Sequence, residues 1–242
     1  VYLDGLALLF TLLVTGIGAA VMLYAGYYFE DAQQASRFNV MLLGFTSSML
    51  ALVMAGNLIT LFIAWELTSV ISFLLISFKG KEEAARSGAS QALMITGGGG
   101  LALFVGLLLM GSAVGSLELA DILASGDVLR EHAWYTGIVI LVLLGAFTKS
   151  AQFPFHFWLP GAMSAPTPAS SFLHSATMVK AGIYLLARFY PVLGDTPLWE
   201  SGLVGIGLIT MLLSALLALR QRDLKGILAY STVSQLGALV AL

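Results

Sequence analysis

Four ionisable side chains lie in apolar stretches, where lipid or protein rather than water should surround them. They are Glu66, Lys149, His174 and Lys180. A charged group at the centre of a bilayer costs at least ~2.5–3.5 kcal/mol on insertion scales, and such groups commonly mark ion or proton paths. A carboxylate, two amines and an imidazole can each bind and release a proton. We therefore interpret these four residues as a proton relay.

The chemistry of such a relay depends on the distance between the carboxylate and the lysines. Desolvation favours the neutral form of a lysine, whereas a nearby carboxylate favours its charged form. Moving Glu66 towards or away from a lysine would therefore load or unload a proton. The alternative is a structural salt bridge between Glu66 and one lysine, but a single bridge would leave the second lysine without a partner.

His174 and Lys180 share one apolar stretch. Histidine titrates near neutral pH, which suits an intermediate carrier. On a continuous helix, a spacing of six residues places two side chains about 120° apart and ~9 Å apart along the axis. Thr177, which lies between them, or water would then have to bridge the two. A lone histidine on a membrane helix is also often a packing residue, and that alternative stays open.

The stretch LLGAFTKSAQFPFHFWLP, residues 143–160, predicts a helix that is broken after Lys149. Pro154 has no N–H, so the carbonyl of Ser150 loses its helical partner. Irregular backbone at membrane depth is tolerated only inside protein or beside a wet cavity. Ser150 is therefore a candidate supporting residue for the relay, although an ordinary loop between helices is the simpler alternative. His156, which stands among aromatic residues, is expected to be an interfacial anchor.

Two further motifs have plain structural explanations. TGGGG, residues 96–100, is not a phosphate loop, because no strand precedes it and no GK[ST] follows it. Its small residues should instead allow helices to approach closely. Lys225 lies just inside the last predicted helix, behind Asp223. Snorkelling to the membrane surface is the simpler explanation for this lysine, and support of the relay is the alternative.

The elements that position these side chains must be membrane-spanning helices. The 242-residue chain is 59% hydrophobic and only 10% charged, whereas soluble domains carry about a quarter charged residues. Long apolar runs without alternation are helices, because only helices and closed barrels satisfy their backbone in lipid. The composition indicates no nucleic-acid partner, and zero cysteines exclude thiolate metal sites and disulfides. Eight spans are predicted, at about 3–28, 40–56, 57–78, 87–111, 134–152, 164–188, 199–219 and 224–242.

The basic residues predict the orientation of these spans. Arg130 and Arg188 fall on the side where Val1 lies, and seven others fall on the opposite side, which we therefore predict to be cytoplasmic. These seven are Arg37, Lys79, Lys81, Arg86, Arg220, Arg222 and Lys225. A short amphipathic or connecting helix is predicted in the outer loop 112–133. Since the chain starts without methionine and ends in an apolar run, we expect it to be an internal fragment of a longer membrane protein.

Three segments together resemble the proton-translocating antiporter-like membrane family. They are KSAQFPFHFWLPGAMSAPTPASSFLHSATMVKAGIYLL (149–186), AWELTSVISFLLI (64–76) and RDLKGILAYSTVSQLG (222–237). This family includes the large antiporter-like subunits of respiratory complex I and the A and D subunits of Mrp-type Na⁺/H⁺ antiporters. HSATMVKAG, with its histidine and lysine on one stretch, is most similar to the MrpA type. Gly161 in WLPGAM departs from the WLPDAM usual in complex I, which puts in doubt any role of that aspartate.

The resemblance implies a polytopic all-α bundle with inverted five-helix repeats, each containing a broken helix. The chain would be one membrane domain, 1–242, covering about family helices three to ten. Residues 40–188 would form the first repeat, and 199–242 would begin the second. Glu66 would be the glutamate that pairs with Lys149 on the broken helix, and His174 and Lys180 would carry protons onward.

The resemblance further implies ion transport rather than catalysis, with no cofactor and with a Na⁺ site that the sequence does not locate. The implied partners are the bilayer, protons, Na⁺ and the other subunits of a hetero-oligomeric complex in the bacterial plasma membrane. The alternative is a proton-pumping membrane subunit of NADH-quinone oxidoreductase or of a membrane hydrogenase. A structural membrane scaffold is a third possibility.

Overall fold

The computed structural model of the chain is all-helical and describes residues 1–80, 82–175 and 177–242. Two short 3₁₀ turns, Ser77–Lys79 and Phe155–Phe157, supplement the α-helices. The α-helices are α1 (Gly5–Tyr28), α2 (Ala32–Val53), α3 (Leu58–Ile76), α4 (Glu83–Val114), α5 (Leu119–Ala124), α6 (Gly126–Glu131), α7 (Tyr135–Lys149), α8 (Trp158–Ala162), α9 (Thr167–Ser175), α10 (Lys180–Leu193), α11 (Pro197–Leu219) and α12 (Leu224–Ala241).

The predicted fold class is confirmed: the chain is a multi-span helical membrane protein. Within the described residues, six helices are long and apolar enough to cross a membrane, namely α1, α2, α3 with its 3₁₀ turn, α4, α11 and α12. Helix α7 is apolar but shorter. The predicted outer loop 112–133 contains two short helices, α5 and α6, rather than one.

Short polar side chains start five of the helices. A side-chain oxygen at each N-cap accepts a backbone N–H that has no partner within the helix, which stabilises the first turn. These caps are Asp4, Asp31, Asn57, Thr196 and Asp223. Capping residues therefore fix where the polar connections give way to the apolar spans.

Helix α4 lies between α3 and α7, and its glycines allow both to approach. A Cβ at Gly99 would overlap the side chain of Thr148 on α7, and a Cβ at Gly100 would overlap Glu66 on α3. Gly145 on α7 approaches α4 in return, since a Cβ there would lie 2.7 Å from the Cβ of Leu103. The close helix contacts expected from TGGGG are confirmed, and they place α3, α4 and α7 around one buried centre.

The predicted sixth span, 164–188, is wrong as a single helix. The chain forms α9 up to Ser175 and resumes helical structure in α10 at Lys180. The hydroxyl of Thr177 donates to the carbonyl of Phe172 at 2.7 Å. A polar side chain thereby donates to a carbonyl in the last turn of α9.

Candidate functional site

Lys149 ends α7 and is completely buried. Its Nζ donates to the carbonyl of Trp65 at 3.0 Å and to the Oγ of Ser69 at 2.6 Å. The same Nζ lies 4.9 Å from the centre of the Trp65 ring, an arrangement in which the ring face attracts a cation. Helix α3, which carries both residues, therefore binds the amino group of Lys149 through two polar acceptors and one aromatic ring.

Glu66 follows Trp65 on α3, but its carboxylate does not form an ion pair with the lysine. No salt bridge joins Glu66 to Lys149 among the described residues, where a bridge is an N–O distance of 4.0 Å or less. The Oε1 of Glu66 is buried and has no hydrogen-bond partner in that part of the chain. Glu66 nonetheless lies on α3 between Trp65 and Ser69, the two residues that bind the lysine. The expected pair is therefore brought together but is separated in this structure.

The broken helix after Lys149 satisfies its own backbone. The Nε2 of Gln152 donates to the carbonyl of Ser150 at 3.0 Å, and the Nε1 of Trp158 donates to the carbonyl of Thr148 at 2.9 Å. Pro154 follows a cis peptide bond, and the N–H of Phe153 donates to Thr210 on α11 at 2.9 Å. The carbonyl that Pro154 frees is thus occupied by Gln152 and does not serve the lysine.

Ser150 connects the site to α10. Its Oγ is buried and has no hydrogen-bond partner in the described structure. A Cβ at Gly182 of α10 would overlap this hydroxyl, so the hydroxyl lies directly against that helix. Gly182 is two residues beyond Lys180. Ser150 therefore spans the space between Lys149 and the helix that begins with the next lysine.

The interruption between α9 and α10 changes the expected relation of His174 to Lys180. The Nζ of Lys180 donates to the carbonyl of Ser175, the neighbour of His174. The ~9 Å axial separation expected on a continuous helix therefore does not apply. The hydroxyl of Thr177 donates to the carbonyl of Phe172, so among the described residues its side chain does not link His174 to Lys180, and water remains the other expected bridge.

His174 is buried on α9, and neither ring nitrogen has a hydrogen-bond partner among the described residues. Its ring centre lies 6.5 Å from that of Trp158, the residue that holds the end of α7. A cavity of about 260 Å³ adjoins the histidine, which is room for several water molecules. The cavity is lined by Met163, Thr167, Ser170, Ser171, His174, Ser175, Lys225, Leu228 and Thr232.

Lys225 lines this cavity from the start of α12. Its Nζ donates to the carbonyls of Met163 and Ala165, each at 3.0 Å. Snorkelling to the membrane surface does not describe this lysine, because its amino group turns inwards to the backbone of a neighbouring segment. Its position beside His174 agrees with the alternative of a supporting residue.

The geometry combines a buried lysine, a separated glutamate and a broken helix, and sequence comparison identifies the family to which the chain belongs. The profile of the family described as "NADH:quinone oxidoreductase/Mrp antiporter, TM" matches residues 55–242. The chain belongs to this family. The profile described as "NADH-Ubiquinone oxidoreductase (complex I), chain 5 N-terminus" matches residues 1–39.

Several curated relatives of this family member are named as antiporter subunits. The chain is 56% identical over 241 residues to the A/B subunit of a probable K⁺/H⁺ antiporter of Rhizobium meliloti (strain 1021), covering 99% of this chain and 24% of that protein. It is 51% identical over 241 residues to the "Putative antiporter subunit mnhA2" of Staphylococcus aureus (strain MRSA252). This match covers 99% of this chain and 30% of that protein. The chain thus spans about a quarter to a third of these relatives.

A solved structure of the same family has the same fold. The structure described as "Structure of Mrp complex from Dietzia sp. DQ12-45-1b" superposes on this chain with a TM-score of 0.93 at 44% identity. The match covers 99% of this chain and 26% of that one. The expected resemblance to the antiporter-like family, with Mrp relatives, is confirmed.

Sequence reasoning missed one buried ion pair of this family member. Arg188 of α10 is only 3% exposed, and its two terminal nitrogens bind Asp4 at 2.5 and 2.9 Å. Its Nε donates to the hydroxyl of Tyr184, which donates to the carbonyl of Val53. The charge count along the sequence treats Arg188 as a loop charge on the outer side. An arginine within the apolar run AGIYLLARF was the available signal, but its partner lies 184 residues away.

This pair shifts the titration of Asp4, which lies just before the spanning helix α1. The hydrogen bond from the Arg188 guanidinium lowers the pKa of the Asp4 carboxyl from 3.8 to about 2, although partial burial acts in the opposite direction. The carboxylate therefore stays charged through the physiological range. The network ties the N-terminus of α1 and the end of α2 to α10.

Proposed function

We propose that this chain is the proton-translocating part of one subunit in a multisubunit monovalent cation/proton antiporter, with Na⁺ as the cation exchanged. The observation that carries the proposal is the buried amino group of Lys149, bound to α3 beside a glutamate that is not paired with it. A structural salt bridge would be expected to close this gap. The names of the antiporter relatives support the transport class, and the R. meliloti name adds K⁺ as a second cation to test.

The proposed proton step uses the separation of Glu66 from Lys149. A buried lysine without a close carboxylate favours its neutral form, and approach of the carboxylate favours the ammonium. Movement of Glu66 towards Lys149 would load a proton on the amine, and withdrawal would release it. Ser150, whose hydroxyl is buried and lies against α10, is the first group in the direction of Lys180.

From there the proposed path continues to the break between α9 and α10. Lys180 folds back onto Ser175, beside His174, and the imidazole faces a cavity that can hold water. Lys225 stands in the wall of that cavity, at the end of the bundle that the basic residues assign to the cytoplasm. The path would thus join the buried lysine on α7 to water through Lys180 and His174.

The wider assignments follow from the family and belong to the same proposal. The chain would be one membrane domain in the bacterial plasma membrane, with residues 40–188 as the first inverted repeat and 199–242 as the start of the second. Val1 would lie outside, and the loops at 79–86 and 220–225 would lie in the cytoplasm. Its partners would be lipid and other Mrp-like subunits. The family also contains complex I subunits, but the antiporter relatives favour exchange over redox-driven pumping.

The test measures discharge of ΔpH by Na⁺ and by K⁺ in everted vesicles that contain the complete complex. We expect Lys149→Ala and Glu66→Ala each to reduce exchange at least about tenfold. Lys79→Ala and Glu82→Ala are matched controls, because these residues form a surface ion pair at 3.6 Å with side chains 46% and 55% exposed. Exposed pairs contribute little, so both controls should keep their activity.

Near-normal exchange in both Lys149→Ala and Glu66→Ala would overturn the proposal. NADH-driven proton pumping by the native complex, without cation exchange in the absence of NADH, would instead support the complex I alternative. If the unmodified complex exchanges protons with only Na⁺ or only K⁺, that result identifies the cation.

A further inference from the structure

The four consecutive glycines of α4 meet four different surroundings. A Cβ at Gly98 would find nothing within 4 Å, and one at Gly99 would overlap Thr148 of α7. A Cβ at Gly97 would lie 3.8 Å from the Oε2 of Glu66, an ordinary contact. At Gly100, however, a Cβ would overlap the Oε1 of Glu66 and lie 2.9 Å from its carboxyl carbon. One face of α4, formed by Gly97 and Gly100, therefore makes room for this carboxylate.

The carboxylate that enters this space is the one that fails to pair with Lys149. Its Oε1 is buried and has no hydrogen-bond partner among the described residues, so no hydrogen bond explains its position there. A buried acceptor oxygen without a hydrogen-bond partner is unfavourable. The missing Cβ of Gly100 leaves the space that this oxygen occupies.

We propose that Gly97 and Gly100 form a carboxylate slot that holds Glu66 away from Lys149 during the unloading half of the proton step. Gly100 is then a positioning residue: it acts on the reaction through Glu66 and does not itself carry a proton. A side chain at position 100 would close the slot. The overlapping atoms belong to the end of a flexible side chain, so the carboxylate can move out towards Lys149, while Trp65, whose Cδ1 would lie 3.2 Å from the added Cβ, needs to shift only slightly. The lysine would remain paired, and proton release would stop.

The alternative is that Gly100 only lets α3 and α4 pack closely. The two explanations differ in their dependence on the length of residue 66. Glu66→Asp shortens the side chain by one methylene, which withdraws the carboxylate oxygens from the space beside position 100 that the Oε1 of Glu66 occupies. In the slot explanation, Gly100→Ala then has much less to displace. In the packing explanation, its effect does not depend on residue 66.

The experiment is a double-mutant cycle in the complete complex, measured as cation-driven ΔpH discharge in everted vesicles with the amount of assembled complex as reference. We expect Gly100→Ala alone to reduce exchange at least about tenfold. Added to Glu66→Asp, the same change should reduce exchange further by less than about twofold. Gly98→Ala is the matched control on the same helix and should stay within about twofold of the unmodified complex.

Equal effects of Gly100→Ala with and without Glu66→Asp would overturn the slot, as would a Gly100→Ala complex as active as the Gly98→Ala complex. If Gly100→Ala prevents assembly, the double variant with Glu66→Asp decides: restored assembly supports the slot, and continued failure overturns it. The inference rests on the proposed relay, but the two fail separately. Normal exchange in both Lys149→Ala and Glu66→Ala refutes the relay itself. Loss of exchange in these two variants, with normal exchange in Gly100→Ala, refutes only the slot.

Discussion

The amino group of Lys149 lies 2.6 Å from the hydroxyl of Ser69 and is not in ion-pair contact with Glu66, which stands one turn before Ser69 on the same helix. The lysine is thus held by neutral acceptors while the charged partner lies nearby. This arrangement can hold a lysine in either protonation state, because a hydroxyl can donate as well as accept.

One prediction concerns this hydroxyl. Ser69→Ala removes one of the two acceptors of the Lys149 ammonium, and a hydrogen bond to a charged group contributes about 1.5–3 kcal/mol. We expect cation-driven ΔpH discharge to fall roughly tenfold or more. Ser48→Ala is the control, since Ser48 is equally buried but donates only to the carbonyl of Gly44 on its own helix. Comparable rates in the two variants would show that Ser69 does not serve the lysine.

Ser150 gives a prediction in which transport and stability separate. Its buried hydroxyl has no partner in the described structure, so Ser150→Ala removes an unsatisfied group and should leave thermal stability unchanged or slightly higher. Exchange should nevertheless fall several-fold, because the hydroxyl between Lys149 and α10 is lost. The measurements are the melting temperature of the purified complex and its rate in vesicles. If the melting temperature and the exchange rate both fall, or if neither falls, the role given to Ser150 is contradicted.

Lys225 is expected to matter through the cavity beside His174. Lys225→Met keeps most of the side-chain volume but removes the cation and its two bonds to the carbonyls of Met163 and Ala165. We expect at least about a fivefold fall in exchange. Arg222→Met is the matched control, because Arg222 is an exposed cation close by on the chain. If the two variants lose activity equally, the effect belongs to surface charge and not to the cavity.

The Asp4–Arg188 pair predicts a pH dependence of stability. Because the pKa of Asp4 is lowered from 3.8 to about 2, its contribution is complete above the unfolded value and is lost as the pH falls through the folded one. Asp4→Asn should destabilise the complex by about 1–3 kcal/mol at neutral pH. This is less than the ~3–5 kcal/mol of a fully buried pair, since the Asp4 side chain is 37% exposed.

The measurement is the melting temperature of the complex between pH 6 and pH 2, scanned in steps. The difference between the unmodified complex and Asp4→Asn should stay constant down to about pH 4 and shrink between pH 4 and pH 2. Glu131→Gln replaces an exposed acid on α6 and is the control. Its melting temperature should stay almost equal to that of the unmodified complex at every pH. A gap that persists at pH 2 would contradict the stabilising role of the charged pair.

Much of the site could be predicted because lipid makes buried charge conspicuous. Glu66, Lys149, His174 and Lys180 stand out in apolar runs, and Pro154 marks a helix that ends early, so their types alone indicated buried proton chemistry and a broken helix. Arg188 stood in such a run too, but its partner could not be inferred. Asp4 lies 184 residues away, at a helix cap that also explains it locally.

The relation of His174 to Lys180 was the largest error, and its cause is physical. The apolar run predicted one continuous span, 164–188, because its residues are apolar enough to continue as a helix. Beside the non-helical residues 177–179, the side chains of Thr177 and Lys180 donate to carbonyls at the end of α9. Such side-chain substitutes for helical hydrogen bonds leave no periodic signal in the sequence.

The sequence by itself determined that the chain crosses a membrane many times, since the length and composition of the apolar runs set the free-energy cost of every span. It also marked Lys149 and His174, which are buried, as titratable groups within those runs. The tertiary structure alone decided where those groups point. Lys149 turns to Ser69, Glu66 turns into the space left by Gly100, and Lys225 turns inwards towards the cavity beside His174. The direction of a side chain depends on packing between helices distant in the chain, and a local pattern of residues carries no record of that packing.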